Sequence, residues 1–138
     1  MMATRIAFVL LALAASGCAE ELDTGTSPTS DEPTSVLFVG TLQPRSTRFY
    51  SYTVTSAGQV SAMLASLEQG QTPMANPLEL ALGVPAGTGC SAQVTQETRS
   101  SLVPQINQDA AAGTYCVRIS DTQGLPAAMN FTIRVIHP

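Results

Sequence analysis

Arg48-Phe49-Tyr50-Ser51-Tyr52-Thr53-Val54-Thr55 alternates strictly, with Tyr50, Tyr52 and Val54 on one face and Phe49, Ser51 and Thr53 on the other. A period of two belongs to an extended strand packed on one side and wet on the other. The same rhythm returns along the chain. Tyr115, Val117 and Ile119 alternate with Cys116, Arg118 and Ser120 after a turn at Gly113, and Phe131, Ile133 and Val135 alternate with Thr132 and Arg134. Leu78, Leu80 and Leu82 alternate with Glu79 and Ala81, in a stretch expected to stop at Pro85. Val36 to Leu42 is a further apolar run ending before Pro44, and weaker candidates cover Cys90 to Thr95 and Ser101 to Ile106. Gly, Pro and Asn punctuate the gaps, as turns require.

One segment fits two templates. Val60, Met63, Leu64 and Leu67 match a helical face, whereas Val60, Ala62 and Leu64 match a strand, which is the preferred reading. No segment sustains helical periodicity, and no internal repeat is visible. Roughly seven or eight short strands at this spacing predict an all-β fold, an antiparallel β-sandwich over residues 36–138.

Two of these stretches, Arg48 to Val54 and Ala111-Ala112-Gly113-Thr114-Tyr115-Cys116-Val117-Arg118-Ile119, followed by a closing strand from Phe131 to Ile136, resemble the bacterial pre-peptidase C-terminal domain. The resemblance covers Val36 to Pro138 and implies a jelly-roll-like sandwich of the kind found at the ends of secreted enzymes. Related sandwiches bind extracellular polymers, in some cases with calcium at an aspartate cluster. This chain departs from that pattern, with Asn76, Pro77 and Glu79 where relatives place aspartates. One acid beside one amide is a poor cage for an ion that wants several oxygen ligands. No metal and no cofactor is expected.

The chain opens with Arg5, an apolar run from Ile6 to Ala15, the small residues Ser16 and Gly17, and then Cys18. A basic start, a short apolar stretch and small residues make a secretory signal, too short for the roughly 20 apolar residues that span a bilayer. The segment resembles the lipobox of bacterial lipoproteins, departing from it in having Ala15 where that family prefers Leu. The resemblance implies that residues 1–17 are a cleaved signal peptide and that Cys18 becomes the lipidated first residue of the mature protein. Acyl chains such as palmitate, at about 0.8 kcal/mol per buried methylene, would hold it to a membrane. Ala19 in place of Asp after the cysteine implies the outer membrane of a cell envelope, on its periplasmic or surface face. The plainer alternative is an ordinary cleaved signal with a free cysteine nearby. Residues 18–35 are Thr, Ser, Pro, Asp and Glu with almost nothing apolar, the composition of a disordered, extended tether.

The net charge is -4. Five acids, Glu20, Glu21, Asp23, Asp31 and Glu32, lie in the tether, leaving the folded part near neutral. With no lysine and only scattered arginines there is no basic stripe, so nucleic acid is excluded as a partner. Lipidation of Cys18 leaves Cys90 and Cys116 in an oxidising compartment, where a disulfide is the default; neither belongs to a Cys-x-x-Cys motif. Such a bridge contributes about 3 to 4 kcal/mol on loop-closure grounds. Alternation puts Cys116 opposite Tyr115, so the bridge is expected on a sheet's outer face or edge, joining neighbouring segments.

Catalytic chemistry is poorly provided for, and the chain is read as no enzyme. His137, the single histidine, sits one residue from the terminus and is expected to fray. Asp109, Asp121, Glu68 and Glu79 are isolated along the chain and read as solvated. The stretch from Gly83 to Gly89 reads as a turn, because a phosphate loop requires lysine. Asn130-Phe131-Thr132 fits a glycosylation sequon that has little meaning in a bacterium. Phe49 faces outward, flanked by Arg45 and Arg48, and these three with Arg99 form the expected contact surface. The expectation is a non-catalytic, membrane-anchored envelope module that binds or assembles an envelope protein or polysaccharide. The alternative is an accessory or regulatory module of a secreted hydrolase.

Overall fold

The computed structural model describes residues 32–138; the signal segment, Cys18 and the tether as far as Asp31 lie outside the described residues. The alternating segments become strands: β1 (Thr34–Leu42), β2 (Thr47–Val54), β3 (Gly58–Gln69), β4 (Thr72–Pro73), β5 (Leu78–Ala86), β6 (Gly89–Thr98), β7 (Ile106–Ala110), β8 (Gly113–Ser120) and β9 (Met129–His137). Every pairing is antiparallel, and no helix occurs among the described residues. One sheet has the order β1-β9-β3-β4, with β7 also beside β3, and the other β2-β8-β5-β6. The two pack face to face as a β-sandwich. Leu42, Leu64, Leu67, Phe131 and Ile133 of the first sheet close over Tyr52, Leu78, Leu80, Leu82, Val117 and Ile119 of the second. Each such side chain contributes about 1.5 to 3 kcal/mol by leaving water.

The segment that fitted two templates is the middle of β3. Val60, Ala62 and Leu64 face the core, and the pairing with β9 then shifts register between Leu64 and Ser66. The extra residue of a bulge reverses the alternation, so Leu67 rejoins the core three positions after Leu64. Met63 is buried on the other side of the strand. A bulge and two-sided burial together imitate helical spacing.

Ser101 to Ile106, expected as a weak strand, is a loop that acts as one. Ser101 donates its N–H to the Leu64 carbonyl at 2.8 Å, Gln105 donates to the Ala62 carbonyl at 2.9 Å, and the Gln105 side chain accepts from the Leu64 N–H at 2.7 Å. Regular pairing with β3 begins only at Ile106. The expected turn from Gly83 to Gly89 is also narrower. β5 runs through Pro85 to Ala86, and the reversal takes place at Gly87 and Thr88, with Gly87 at a φ of 57°.

Cys90 and Cys116 are joined by a disulfide, with 5.9 Å between their Cα atoms. Cys90 is on β6 and Cys116 on β8, and β5 lies between them. Strands two places apart are separated by about 10 Å when a sheet is flat. The bridge therefore requires the β5–β6 hairpin to curl over the outer face of its own sheet. The curl starts at Gly83, where the β5–β8 ladder ends opposite Cys116 and the β5–β6 register shifts. A Cβ at residue 83 would stand 2.9 Å from Ala92 Cα and overlap the Ser91 carbonyl oxygen. Cys116 does point outward, as alternation requires, yet it is fully buried. The bridge joins strands separated by a third, which corrects the expectation of neighbouring segments.

Gly83→Ala should therefore destabilise the domain by about 2 kcal/mol or more through overpacking against backbone. Urea unfolding checks the loss, and thiol labelling should find a larger fraction of Cys90 and Cys116 reduced at a fixed redox potential than in the wild type.

Candidate functional site

The outer face of the four-stranded sheet is built from the residues that alternate away from the core. Register sets Phe49 of β2 opposite Arg118 of β8, Arg118 opposite Ala81 of β5, and Ala81 opposite Thr95 of β6. The next row outward is Ser51, Cys116, Gly83 and Ala92. Between small residues in the middle columns and the curled hairpin to one side, the Arg118 side chain is partly buried, 26% exposed. Its Nη2 donates to Glu79 Oε1 at 2.7 Å, across the diagonal of the ladder. Nη1 lies 3.5 Å from the Cys90 carbonyl oxygen, at the outer limit for a hydrogen bond. Among the described residues, Arg118 Nε is the buried side-chain donor with no partner. Phe49, directly across the ladder, is 39% exposed. Nε is closed to solvent, so an oxygen-bearing group can meet only the exposed quarter of the Arg118 side chain, with the apolar ring of Phe49 beside it.

Glu79, expected to be solvated, instead holds Arg118 in this position. Alternation already turns both residues outward. What was missing is the register of β5 against β8, which links segments far apart in the chain.

The expected contact surface divides. Arg45, Arg48 and Phe49 lie together along the β1–β2 turn and the start of β2, although Arg48 shares the strand face of Tyr50 and reaches solvent at the edge. Arg99 follows β6 at the opposite edge, three strand spacings or about 14 Å away. Its Nε donates to the Ala75 carbonyl at 2.9 Å, and it lines a separate hollow of about 270 Å³ with Pro77, Glu97 and Thr98.

Asp121 is not the solvated acid expected from its isolation in the chain. It is buried, and its carboxylate accepts four backbone N–H groups: Leu125 at 2.6 Å, Arg45 at 2.7 Å, Gly124 at 2.8 Å and Gln123 at 3.2 Å. Burial pushes its pKa up, but the backbone donors outweigh burial and hold it below 3.8. One side chain thereby fastens the β1–β2 turn to the loop after β8 and holds Arg45 at a φ of 55°. Of the other acids, Asp109 is exposed and Glu68 partly so.

His137 does not fray. It ends β9, pairs with Thr34, is buried, and stacks on Tyr52 with centroids 5.6 Å apart. Its Nδ1 lies 2.8 Å from the Pro138 carbonyl oxygen. Tyr52 stacks in turn on Tyr115, 6.1 Å away, and its pKa is pushed up to about 12, first by burial and then by Tyr115. The Tyr115 hydroxyl donates to the Ala111 carbonyl at 3.0 Å, the corner bond by which many sandwiches fix the start of a late strand. Among the described residues, no group of three or more His, Cys, Asp and Glu is placed to hold a metal ion. Comparison with known protein families and with curated proteins found no match to this chain.

Two pH effects follow. Asp121, with its pKa lowered by folding, contributes stability that is fully present above the unfolded value and is lost as pH falls through the folded one below 3.8. Asp121→Asn should cost about 2 kcal/mol at neutral pH and flatten the acid limb of the stability curve, measured by urea unfolding from pH 7 to pH 2. Tyr52, with its pKa raised, contributes stability present below about pH 10 and lost as pH rises toward 12. Absorbance titration should show one phenol ionising only near pH 12, a step absent from Tyr52→Phe.

Proposed function

We propose that this protein is a lipid-anchored, non-catalytic binding module of a bacterial cell envelope, which holds an oxygen-rich envelope polymer against the outer face of its four-stranded sheet. The carrying observation is the partly exposed Arg118 side chain across the ladder from the partly exposed Phe49. Planar polar groups and aromatic rings together suit sugar-like ligands, which present hydroxyl or carboxylate oxygens on an apolar ring. Glu79 fixes the guanidinium in advance, so less side-chain freedom is lost on binding.

The motif ending at Cys18 supports the location. A signal that exports the chain and an acylated cysteine would leave the sandwich on an acidic, proline-containing tether at the membrane surface. The resemblance to pre-peptidase C-terminal sandwiches, carried by Arg48 to Val54 and Ala111 to Ile119, supports the polymer. Arg45 and Arg48 stand at the rim of the same edge and would steer an acidic ligand toward it.

Retention of the tagged, full-length protein on cell-wall or capsular material from its own species tests the reading. Phe49→Ala and Arg118→Lys should each weaken retention about tenfold. The lysine keeps the charge opposite Glu79 while removing the planar fork of guanidinium donors. Retention unchanged in both variants, or cross-linking in intact cells to one abundant protein with no retention on polymer, overturns polymer binding on this face.

A further inference from the structure

β1 is the outermost strand of the first sheet, and among the described strands it pairs only with β9. Open edges invite pairing with other chains, and proteins usually blunt them with charge, proline, bulges or brevity. The other edges of this sandwich are blunted. β2 carries Arg48, and β6 carries Glu97 and a shifted register. The far edge of the first sheet is divided among the two-residue β4 with Pro73, the five-residue β7 with Asp109 and the fastened Ser101 to Gln105 loop. β1 has none of these devices. Its nine residues, Thr34-Ser35-Val36-Leu37-Phe38-Val39-Gly40-Thr41-Leu42, contain no charge and no proline, and pair with β9 without a shift. On its outward face Leu37 is 54% exposed and Val39 67% exposed.

The backbone is set for a further strand. The Val39 carbonyl oxygen is met by the Tyr50 hydroxyl at 3.3 Å, on the side away from β9. In an antiparallel ladder the direction of the backbone groups alternates, so those of Ser35, Leu37 and Thr41 point to the same free edge. A carbonyl oxygen has two lone pairs, so Val39 can keep Tyr50 and accept a second donor.

We propose that β1 is a self-association edge, at which two copies of this chain pair β1 with β1 antiparallel about a two-fold axis at Phe38, joining their first sheets into one. In this register Leu37 lies opposite the partner's Val39, and Val39 opposite the partner's Leu37. It aligns all nine residues and matches the odd-numbered residues, whose backbone groups are free, with one another. The four apolar side chains of the two outward faces form one stripe, and no like charges meet within the strands. The flanks supply charge complementarity. Glu32, exposed two residues before β1, falls beside the exposed Pro44-Arg45 turn of the other copy, and the symmetry makes this contact twice. A parallel pairing would set Glu32 against Glu32. The opposite sheet's outer face, with Phe49 and Arg118, stays free, and Arg45 at its rim is the one residue this association shares with the polymer reading.

Sedimentation of the full chain in detergent, across micromolar to near-millimolar concentration, tests the proposal. The expected result is a reversible dimer whose Kd rises at least tenfold in the Leu37→Lys, Val39→Lys double variant, with thermal unfolding and β-sheet circular dichroism unchanged. Arg45→Glu should weaken the dimer, and Glu32→Arg combined with Arg45→Glu should restore it. A monomer at every concentration, association that grows without limit, or a dimer indifferent to the lysine pair overturns the proposal. So does failure of the double charge reversal to restore association, which would exclude the antiparallel register.

Discussion

A disulfide between next-but-one strands is a demand on the strand that runs between them. The 5.9 Å between the Cα atoms of Cys90 and Cys116 can be reached only if β6 leaves the plane of its sheet, and it leaves across residue 83. Glycine stands there because the Ser91 and Ala92 backbone occupies the space of a side chain. Covalent bond, curled hairpin and missing Cβ form one device. It shapes the outer face of the sheet, buries Cys116 and lies beside a partly buried Arg118, only one of whose three nitrogens has a short, well-placed partner. A loop-closure contribution of about 3 to 4 kcal/mol is large beside the roughly 5 to 15 kcal/mol by which domains of this size are stable.

The two ends of the sandwich are held by different physics. At one end a buried carboxylate gathers four backbone donors from two loops, a charge-assisted arrangement worth more than the same bonds to a neutral acceptor. Toward the other, aromatic rings lean on one another through the interior, with Phe38 stacked on Tyr50 at 5.0 Å and Tyr52 set between Tyr115 and His137. Gly40 makes room for the first of these pairs. A Cβ there would meet the Tyr50 hydroxyl and stand 2.9 Å from Phe131. With no Trp in the chain, these contacts carry much of the large-area packing.

The sandwich was legible because strict alternation is a property of single strands. Tyr50 with Tyr52, Val117 with Ile119, and Phe131 with Ile133 each declare an inner face without reference to any partner. The disulfide was legible from the count and spacing of cysteines. What alternation could not supply was register. Glu79 and Arg118 both read as outward residues, but their ion pair exists only because β5 lies against β8 at one offset. Asp121 looked isolated because its four partners are backbone amides, which have no letter in a sequence. His137 looked free because closeness to the terminus is a weak guide when the last strand lies between two others. Ser101 to Ile106 looked like a strand because its backbone is satisfied along β3 as a strand's would be.

β9 lies between β1 and β3, so the final strand of the chain is the central partner of the first sheet. A chain delivered from its N-terminus onward, from a ribosome or across a membrane, has β1 unpaired and one side of β3 open until the nine residues of β9 arrive. Such a chain cannot close its first sheet early, however long it waits. Closure is thus timed by the arrival of β9, and the chain stays threadable until that strand is delivered.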